Sequence, residues 1–316
     1  MSVYTSITPP ELEELLRSYE LGTLCEYQGI SEGIENTNYF VTTTTGQYVL
    51  TLFESIGFDD LPYYLELMAF LAEQGIPCPH PLADRRGSYL RAFKSRPAAF
   101  VQRLPGASTE APNGDQCAAV GGVLGRLHVA GRAFPGRREH ARGPHWRRAA
   151  AKQLLPYLTP ADAELLRQET SFQAQYSRSG LPWGVIHADL FRDNALFVGD
   201  QLTGVIDFYY ACSSVLLYDL AVTVNDWCWS ASGLLAADRV AGLLSAYHEQ
   251  RPLQDRERPM WPLMLRVAAL RFWLSRLQDQ LFPRPGELTQ SKDPDEFKRI
   301  LLRHQQHSAA LSDFWI

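Results

Sequence analysis

The sequence is short of sulfur chemistry, of excess positive charge and of long apolar runs. Its five cysteines, at 25, 78, 117, 212 and 228, are odd in number and no two stand as C-x-x-C. That argues against a disulfide framework or a zinc site and for reduced thiols. A net charge of −5 and a pI near 5.9 supply no global basic field for nucleic acid or an anionic membrane. No stretch of 18 apolar residues occurs, so no transmembrane helix is expected. The opening MSVYTSITPPELEELL lacks the charged-then-apolar order of a signal peptide. No internal repeat or low-complexity segment stands out. A cytoplasmic protein with neither nucleic-acid nor membrane partners is the resulting expectation, with oligomeric state left open.

What is there is an ordinary globular balance: 316 residues, 46% hydrophobic and 21% charged, enough for one large domain or two lobes. Thr8-Pro9-Pro10 before ELEELLRSY reads as a capped first helix. LCEYQGI (24–30), TNYFVTT (37–43) and GQYVLTLFE (46–54) are strand-like runs punctuated by glycine. A helical period follows over 61–74, and two more strand candidates surround Gly87 and PAAFVQRL (97–104). After Leu104 the periods are helical at 115–130, 146–157, 160–177, 217–230, 235–250 and 262–281, interrupted by one β patch at 185–208. The expected fold class is α+β. It has a β-rich lobe over residues 1–103 and a larger, mainly helical lobe over 104–316. Between Arg126 and Arg148 lie Arg132, Arg137, Arg138, Arg142 and Arg147, which read either as a solvated loop or as an anion-steering surface.

The chemistry sits in VIHADLFRDNALFVGDQLTGVIDF (185–208), where His187-x-Asp189-x4-Asn194 precedes Asp207. ALFV and TGVIDF flank a Gly199-Asp200 turn, and a hairpin of that length returns Asp207 to the end where Asn194 begins. Asp189 lies on the loop entering the hairpin, so three oxygen-bearing side chains are expected to converge. Phosphoryl transfer uses such a cluster. Mg²⁺ takes hard oxygen ligands and keeps several waters, so a carboxylate and an amide, Asp207 and Asn194, can suffice from the protein. A separate carboxylate, Asp189, can orient the attacking hydroxyl and take its proton.

These residues resemble the catalytic loop and metal-binding aspartate of the protein-kinase-like fold. HADLFRDN, with a small residue after histidine, is similar to the aminoglycoside phosphotransferase (APH) and choline kinase branch. SEGIENTNYFV (31–41), YVLTLFE (48–54), HADLFRDNALF (187–197), YDLAVTVNDWC (218–228) and ALRFWLSRL (269–277) resemble the APH-type homoserine kinases within it. The resemblance implies a two-lobed kinase-like fold, ATP and Mg²⁺ as cofactors, and homoserine, in threonine biosynthesis, as the acceptor. It implies phosphate contacts from Ser31, Asn36 or Asn38, adenine held by backbone near Gln102–Leu104, and His187 buttressing the loop. It also exposes a departure. The strand QYVLTLFE carries Thr51 where such folds place a phosphate-binding lysine, which leaves Glu66 on the next helix without a cationic partner.

Homoserine carries an ammonium and a carboxylate, which call for an acid and a fork-shaped cation. Asp219 and Asp226, seven residues apart, share one helix face. Asp219 is expected to cap that helix or brace the loop, and Asp226 to meet the ammonium. Arg266, Arg271 and Arg276 step by five, about 140° each, so they cannot all face one pocket; Arg271 is the choice for the carboxylate. Trp227 is a candidate wall of the site, and His128 a buried hydrogen-bonding residue near the loop. Kinases for choline, ethanolamine, an aminoglycoside or a sugar remain as alternatives. So does a catalytically silent nucleotide-binding scaffold.

Overall fold

Alternation of β-branched and aromatic residues in the first hundred positions produces the sheet it implies. A computed structural model describes residues 5–30, 36–177, 179–230, 233–283, 292–308 and 310–316. They cluster into two compact units that divide between Pro105 and Gly106.

The first unit runs α1 (Pro9–Leu16), β1 (Leu24–Gly29), β2 (Asn36–Thr43), β3 (Gln47–Phe53), α2 (Leu61–Glu73), β4 (Arg91–Phe93) and β5 (Arg96–Gln102). Its strands form one antiparallel sheet in the order β1-β2-β3-β5-β4. Successive strand side chains point to opposite faces. Tyr39 and Val41, Leu50 and Leu52, and Ala98 and Phe100 therefore share a core that α1 closes with Leu12, Leu15 and Leu16. Each valine, leucine and phenylalanine among them contributes about 1.5–3 kcal/mol by leaving water. Helix α1 starts where expected, the Glu11 carboxylate accepting the Thr8 N–H at 2.8 Å. Thr51, one residue out of phase with Leu50 and Leu52, is buried, and its hydroxyl donates to Oδ1 of its cross-strand partner Asn38 at 2.7 Å. A neutral polar pair thus fills the position at which a lysine is missing. The strand expected around Gly87 is displaced: Gly87 sits in a turn with φ +83°, and the strand begins at Arg91.

The second unit runs α3 (Gly114–Ala130), α4 (Pro144–Leu154), α5 (Pro160–Ala174), β6 (Trp183–Ile186), β7 (Ala195–Val198), β8 (Gln201–Val205), β9 (Cys212–Val215), α6 (Leu216–Trp227), α7 (Ala237–Gln250), α8 (Trp261–Leu281) and α9 (Pro294–Gln306). Strands β6 and β9 pair, as do β7 and β8. Helices α3 and α7 touch backbone to backbone because α3 carries glycine at the crossing. A Cβ on Gly121 would stand 2.1 Å from the Leu243 carbonyl oxygen, and one on Gly125 2.9 Å from that of Tyr247. Helix α8 is the core's axis, and its three arginines go to three places: Arg266 to Glu169, Arg276 to Glu296, and Arg271 toward Asp189.

Helix α9 is not among the helices expected from the sequence. It buries Phe297, Ile300, Leu301 and His304, an i, i+3, i+4, i+7 stripe. His304 is 1% exposed and its Nε2–H donates to Asn225 Oδ1 at 2.7 Å. Burial, helped by the nearby Arg266 charge, lowers its pKa from 6.5 to about 3. The unfolded chain then takes this proton before the native one does. Native stability is lost as pH falls from about 6.5 toward about 3. His304→Gln keeps a donor for Asn225 and loses the titration. Urea melts near pH 7 and pH 4.5 are expected to differ by roughly 2–3 kcal/mol less in this variant, two units at about 1.4 kcal/mol each. An unchanged difference would show that the imidazole is not what titrates.

Candidate active site

Helix α6 underlies the loop between β6 and β7 and pins it with two carboxylates. Asp219 accepts the His187 and Ala188 amides, both at 2.7 Å. Those bonds hold Ala188 in the left-handed region, φ +67°, which a residue with a Cβ rarely occupies. Two turns on, Asp226 accepts the Arg192 amide at 2.7 Å and its Nε–H at 3.1 Å. A spacing of seven residues, about 10 Å along a helix, thus matches the two ends of one loop. Asp219 is backed in turn by His128, whose Nε2–H reaches it at 3.1 Å while Nδ1 accepts the Tyr247 hydroxyl at 2.7 Å. All three residues are fully buried. Burial raises the Asp219 pKa, but the His128 hydrogen bond, the two imidazoles and the His187 amide outweigh it, so its pKa lies below the usual carboxylate value.

His187 ties this loop to the far end of the β7–β8 hairpin. Its Nε2–H donates to the Ile206 carbonyl at 3.0 Å, and its Nδ1 accepts the Asp189 amide at 3.3 Å. Burial depresses its pKa, so the ring is neutral. Asn194 Nδ2 donates to the Asp189 carbonyl at 2.8 Å and approaches Asp189 Oδ2 at 3.4 Å. The Asn194 carbonyl accepts the Ile206 amide at 2.9 Å, one residue from Asp207. Asp189, Asn194 and Asp207 are therefore gathered at one end of the hairpin. Asp207 is exposed and left-handed at φ +61°. The nitrogen of the Asn194 amide is committed to Asp189, which leaves its oxygen as the atom able to meet a cation. Among the described residues no three His, Cys, Asp or Glu side chains gather as a metal cluster. One carboxylate and one amide oxygen suit an ion that brings waters and phosphate oxygens with it.

Arg271 NH1 stands 3.5 Å from Asp189 Oδ1, and its guanidinium lies 5.2 Å from the Tyr210 ring centre and 3.7 Å from that of Phe272. Arg271 is buried and its Nε has no hydrogen-bond partner. Burial raises the Asp189 pKa, with Arg271, His187 and Lys292 pulling the other way.

Other expected site residues are placed differently. Asp226 is nearly covered and its charge is already matched by Arg192, so the ammonium role expected of it finds the carboxylate engaged. Trp227 is fully buried and donates its indole N–H to the Leu190 carbonyl at 3.1 Å. It braces the catalytic loop from beneath and walls no open site. Asn38 is engaged with Thr51, and Asn36 Oδ1 accepts the Glu54 amide at 3.4 Å. The Gln102 N–H donates to the His80 carbonyl at 2.9 Å, and Leu104 follows the end of β5. Glu66 lies on an exposed face of α2. Ser31 lies outside the described residues. Arg192 and Tyr247 are the residues that sequence reasoning missed. Arg192 stands inside HADLFRDN, and only the Asp219–Asp226 spacing hints at its partner.

Residues 26–258 match the family model described as the phosphotransferase enzyme family. The homoserine kinase of Methylobacillus flagellatus is 50% identical over 310 residues, 98% of this chain and 96% of that one. The homoserine kinase of Methylobacillus glycogenes is 46% identical over 316 residues, 100% and 99% of the two chains. Among solved structures, an amicoumacin kinase in complex with AMP-PNP and Ca²⁺ aligns with a TM-score of 0.69 at 17% identity. It covers 96% of this chain and 92% of its own, a likeness of fold alone. The loop, the hairpin and these matches agree, and the chain belongs to the phosphotransferase enzyme family.

Proposed function

We propose that this chain is an ATP-dependent homoserine kinase, transferring the γ-phosphoryl group of ATP to the hydroxyl of L-homoserine. The observation that carries the acceptor is that homoserine kinases match at 50% and 46% identity over nearly the whole of both chains. Supporting the reaction class, Asp189 stands in the first part of a rigid loop with a neutral histidine behind it, placed to orient an alcohol and take its proton. Asn194 and Asp207 would hold Mg²⁺, which when bound neutralises charge on the phosphates. Arg271 provides what an amino-acid acceptor needs and choline does not: a buried guanidinium beside the base, with a donor to spare. The loop is held by its own hydrogen bonds to Asp219 and Asp226, so most of the acceleration comes from positioning and fixed charge.

Initial rates of ADP release with homoserine, choline and an aminoglycoside test this reading. Homoserine is expected to stimulate turnover and the other two are not; stimulation by choline or the aminoglycoside alone would overturn it. Arg271→Met is expected to raise KM for homoserine by roughly 10-fold or more, the loss of a hydrogen bond to a charged group at about 1.5–3 kcal/mol. KM for ATP should move less than about 3-fold. Arg271→Lys keeps the charge without the fork and should recover only part of the loss. Equal changes in both KM values would remove the carboxylate role.

A further inference from the structure

We infer that Tyr247 is a positioning residue for the transfer reaction. From α7 its phenol fixes the one hydrogen of the His128 ring on Nε2, and through that hydrogen it sets Asp219 beneath the catalytic loop. This rests on the reading of Asp189 as the group that meets the acceptor.

Three helices meet at the contact. Gly121, Gly125 and His128 follow i, i+4, i+7 along α3 and so share a face. The two glycines admit the α7 backbone, and the close approach brings the Tyr247 ring edge-on to His128, 5.5 Å between ring centres. The Tyr247 hydroxyl then lies 2.7 Å from His128 Nδ1, and His128 Nε2 lies 3.1 Å from Asp219 Oδ2. Tyr247, His128 and Asp219 are each 0% exposed, so each has to find its partners inside the protein.

The hydrogens along this chain have one consistent direction. A neutral imidazole offers one donor and one acceptor. Asp219, with its pKa held below the usual carboxylate value, can only accept, so Nε2 is the donor and Nδ1 the acceptor. Tyr247 can serve that acceptor. Burial raises its pKa and the Arg251 charge offsets only part of the rise, so the phenol keeps its hydrogen at neutral pH. The Arg251 guanidinium stands 5.8 Å from the Tyr247 ring centre, itself paired with Glu257 at 2.8 Å. A ring whose Nδ1 holds the phenol's hydrogen cannot place a hydrogen of its own there. Moving the Nε2 hydrogen to Nδ1 would turn a lone pair toward the carboxylate. Adding a second hydrogen would draw the carboxylate's charge onto an imidazolium. Either change weakens the acceptor that holds the His187 and Ala188 amides, two residues short of Asp189.

Steady-state kinetics of Tyr247→Phe, which deletes one oxygen and keeps the ring, test this in the full chain. The kcat with ATP and homoserine is expected to fall about 5-fold, one neutral hydrogen bond. Both KM values should stay within about 2-fold of wild type, since the tyrosine touches neither substrate. In a His128→Gln background the same substitution should change kcat by less than about 2-fold, because an amide, unlike an imidazole, cannot shift its hydrogen. Ring-nitrogen NMR of the histidine-labelled chain, with His128 assigned by its loss in His128→Gln, should find the hydrogen on Nε2 in wild type. In Tyr247→Phe the Nδ1 resonance should leave its hydrogen-bonded position, which a loss of packing alone would not cause. Wild-type kcat in Tyr247→Phe, an equal loss in both backgrounds, or a hydrogen on Nδ1 in the wild-type ring would each overturn the inference. Failure of the Asp189 reading would show separately, as an Asp189→Ala variant that turns over like wild type.

Discussion

Asp189→Ala is expected to lower turnover of ATP and homoserine by at least ~10²-fold, the usual contribution of a positioned general base, while the chain stays folded. The loop does not depend on this carboxylate for its shape. Its amides are held by Asp219 and Asp226, and the Asn194 side chain bonds the Asp189 backbone carbonyl at 2.8 Å. What alanine removes is the oxygen that on the proposed mechanism meets the acceptor hydroxyl, and with it the counter-charge 3.5 Å from Arg271. Arg271 keeps its contacts with Tyr210 and Phe272, and burial raises the Asp189 pKa more than Arg271 lowers it, so the ionised carboxylate adds little to stability and its loss costs little. A urea midpoint close to wild type, beside a kcat reduced a hundredfold, is the expected combination. Asp189→Asn, nearly isosteric but unable to take a proton, should be as slow. Wild-type-like turnover in either variant would sink the mechanism.

How much of this was legible depended on whether a residue's task is local. The hairpin register and the His187-x-Asp189-x4-Asn194 spacing are local, and both place chemistry without knowledge of the rest of the chain. Helical period fixes the face of Asp219 but left helix capping and bracing of the loop both open; its bonds to the His187 and Ala188 amides decide for the loop. Asp226 shares that face, and the same periodicity could not say that a cation, Arg192, had already claimed it; that pairing joins positions 34 residues apart. Trp227 shows the limit from the other side. An aromatic at helical spacing looks alike whether it walls a pocket or fills a core, and burial decided for the core. Helix α9 was hidden by composition. Asp293, Asp295, Glu296, Lys298 and Arg299 crowd the segment with charge, although Phe297, Ile300, Leu301 and His304 keep a clean apolar stripe. The strand position at Thr51 was correctly read as lacking a cation, but that Asn38 would be its partner required the β2–β3 register.

Asp219→Ala is expected to damage both stability and activity. The substitution strands three buried donors: the His187 and Ala188 amides and the His128 Nε2–H. At about 1–3 kcal/mol for each buried donor left unsatisfied, the loss is on the order of 5 kcal/mol, a large share of an ordinary domain's stability. The damage is directional as well. Ala188 occupies the left-handed region because Asp219 holds its amide, and release lets the backbone relax just before Asp189. Below its melting point the variant should therefore bind ATP but turn over at least ~10-fold more slowly, since small misplacements of a catalytic group are costly. Asp219→Asn separates charge from shape. The Asp219 pKa is depressed in the folded chain, so its ionised form stabilises the fold above the ordinary carboxylate pKa, and that contribution is lost as pH falls through the depressed value. The asparagine variant has no such group to titrate. Its urea midpoint should be low at pH 7 and should approach that of wild type as both are taken into acid. A constant difference between the two across that range would mean that the carboxylate's charge is not what holds the loop.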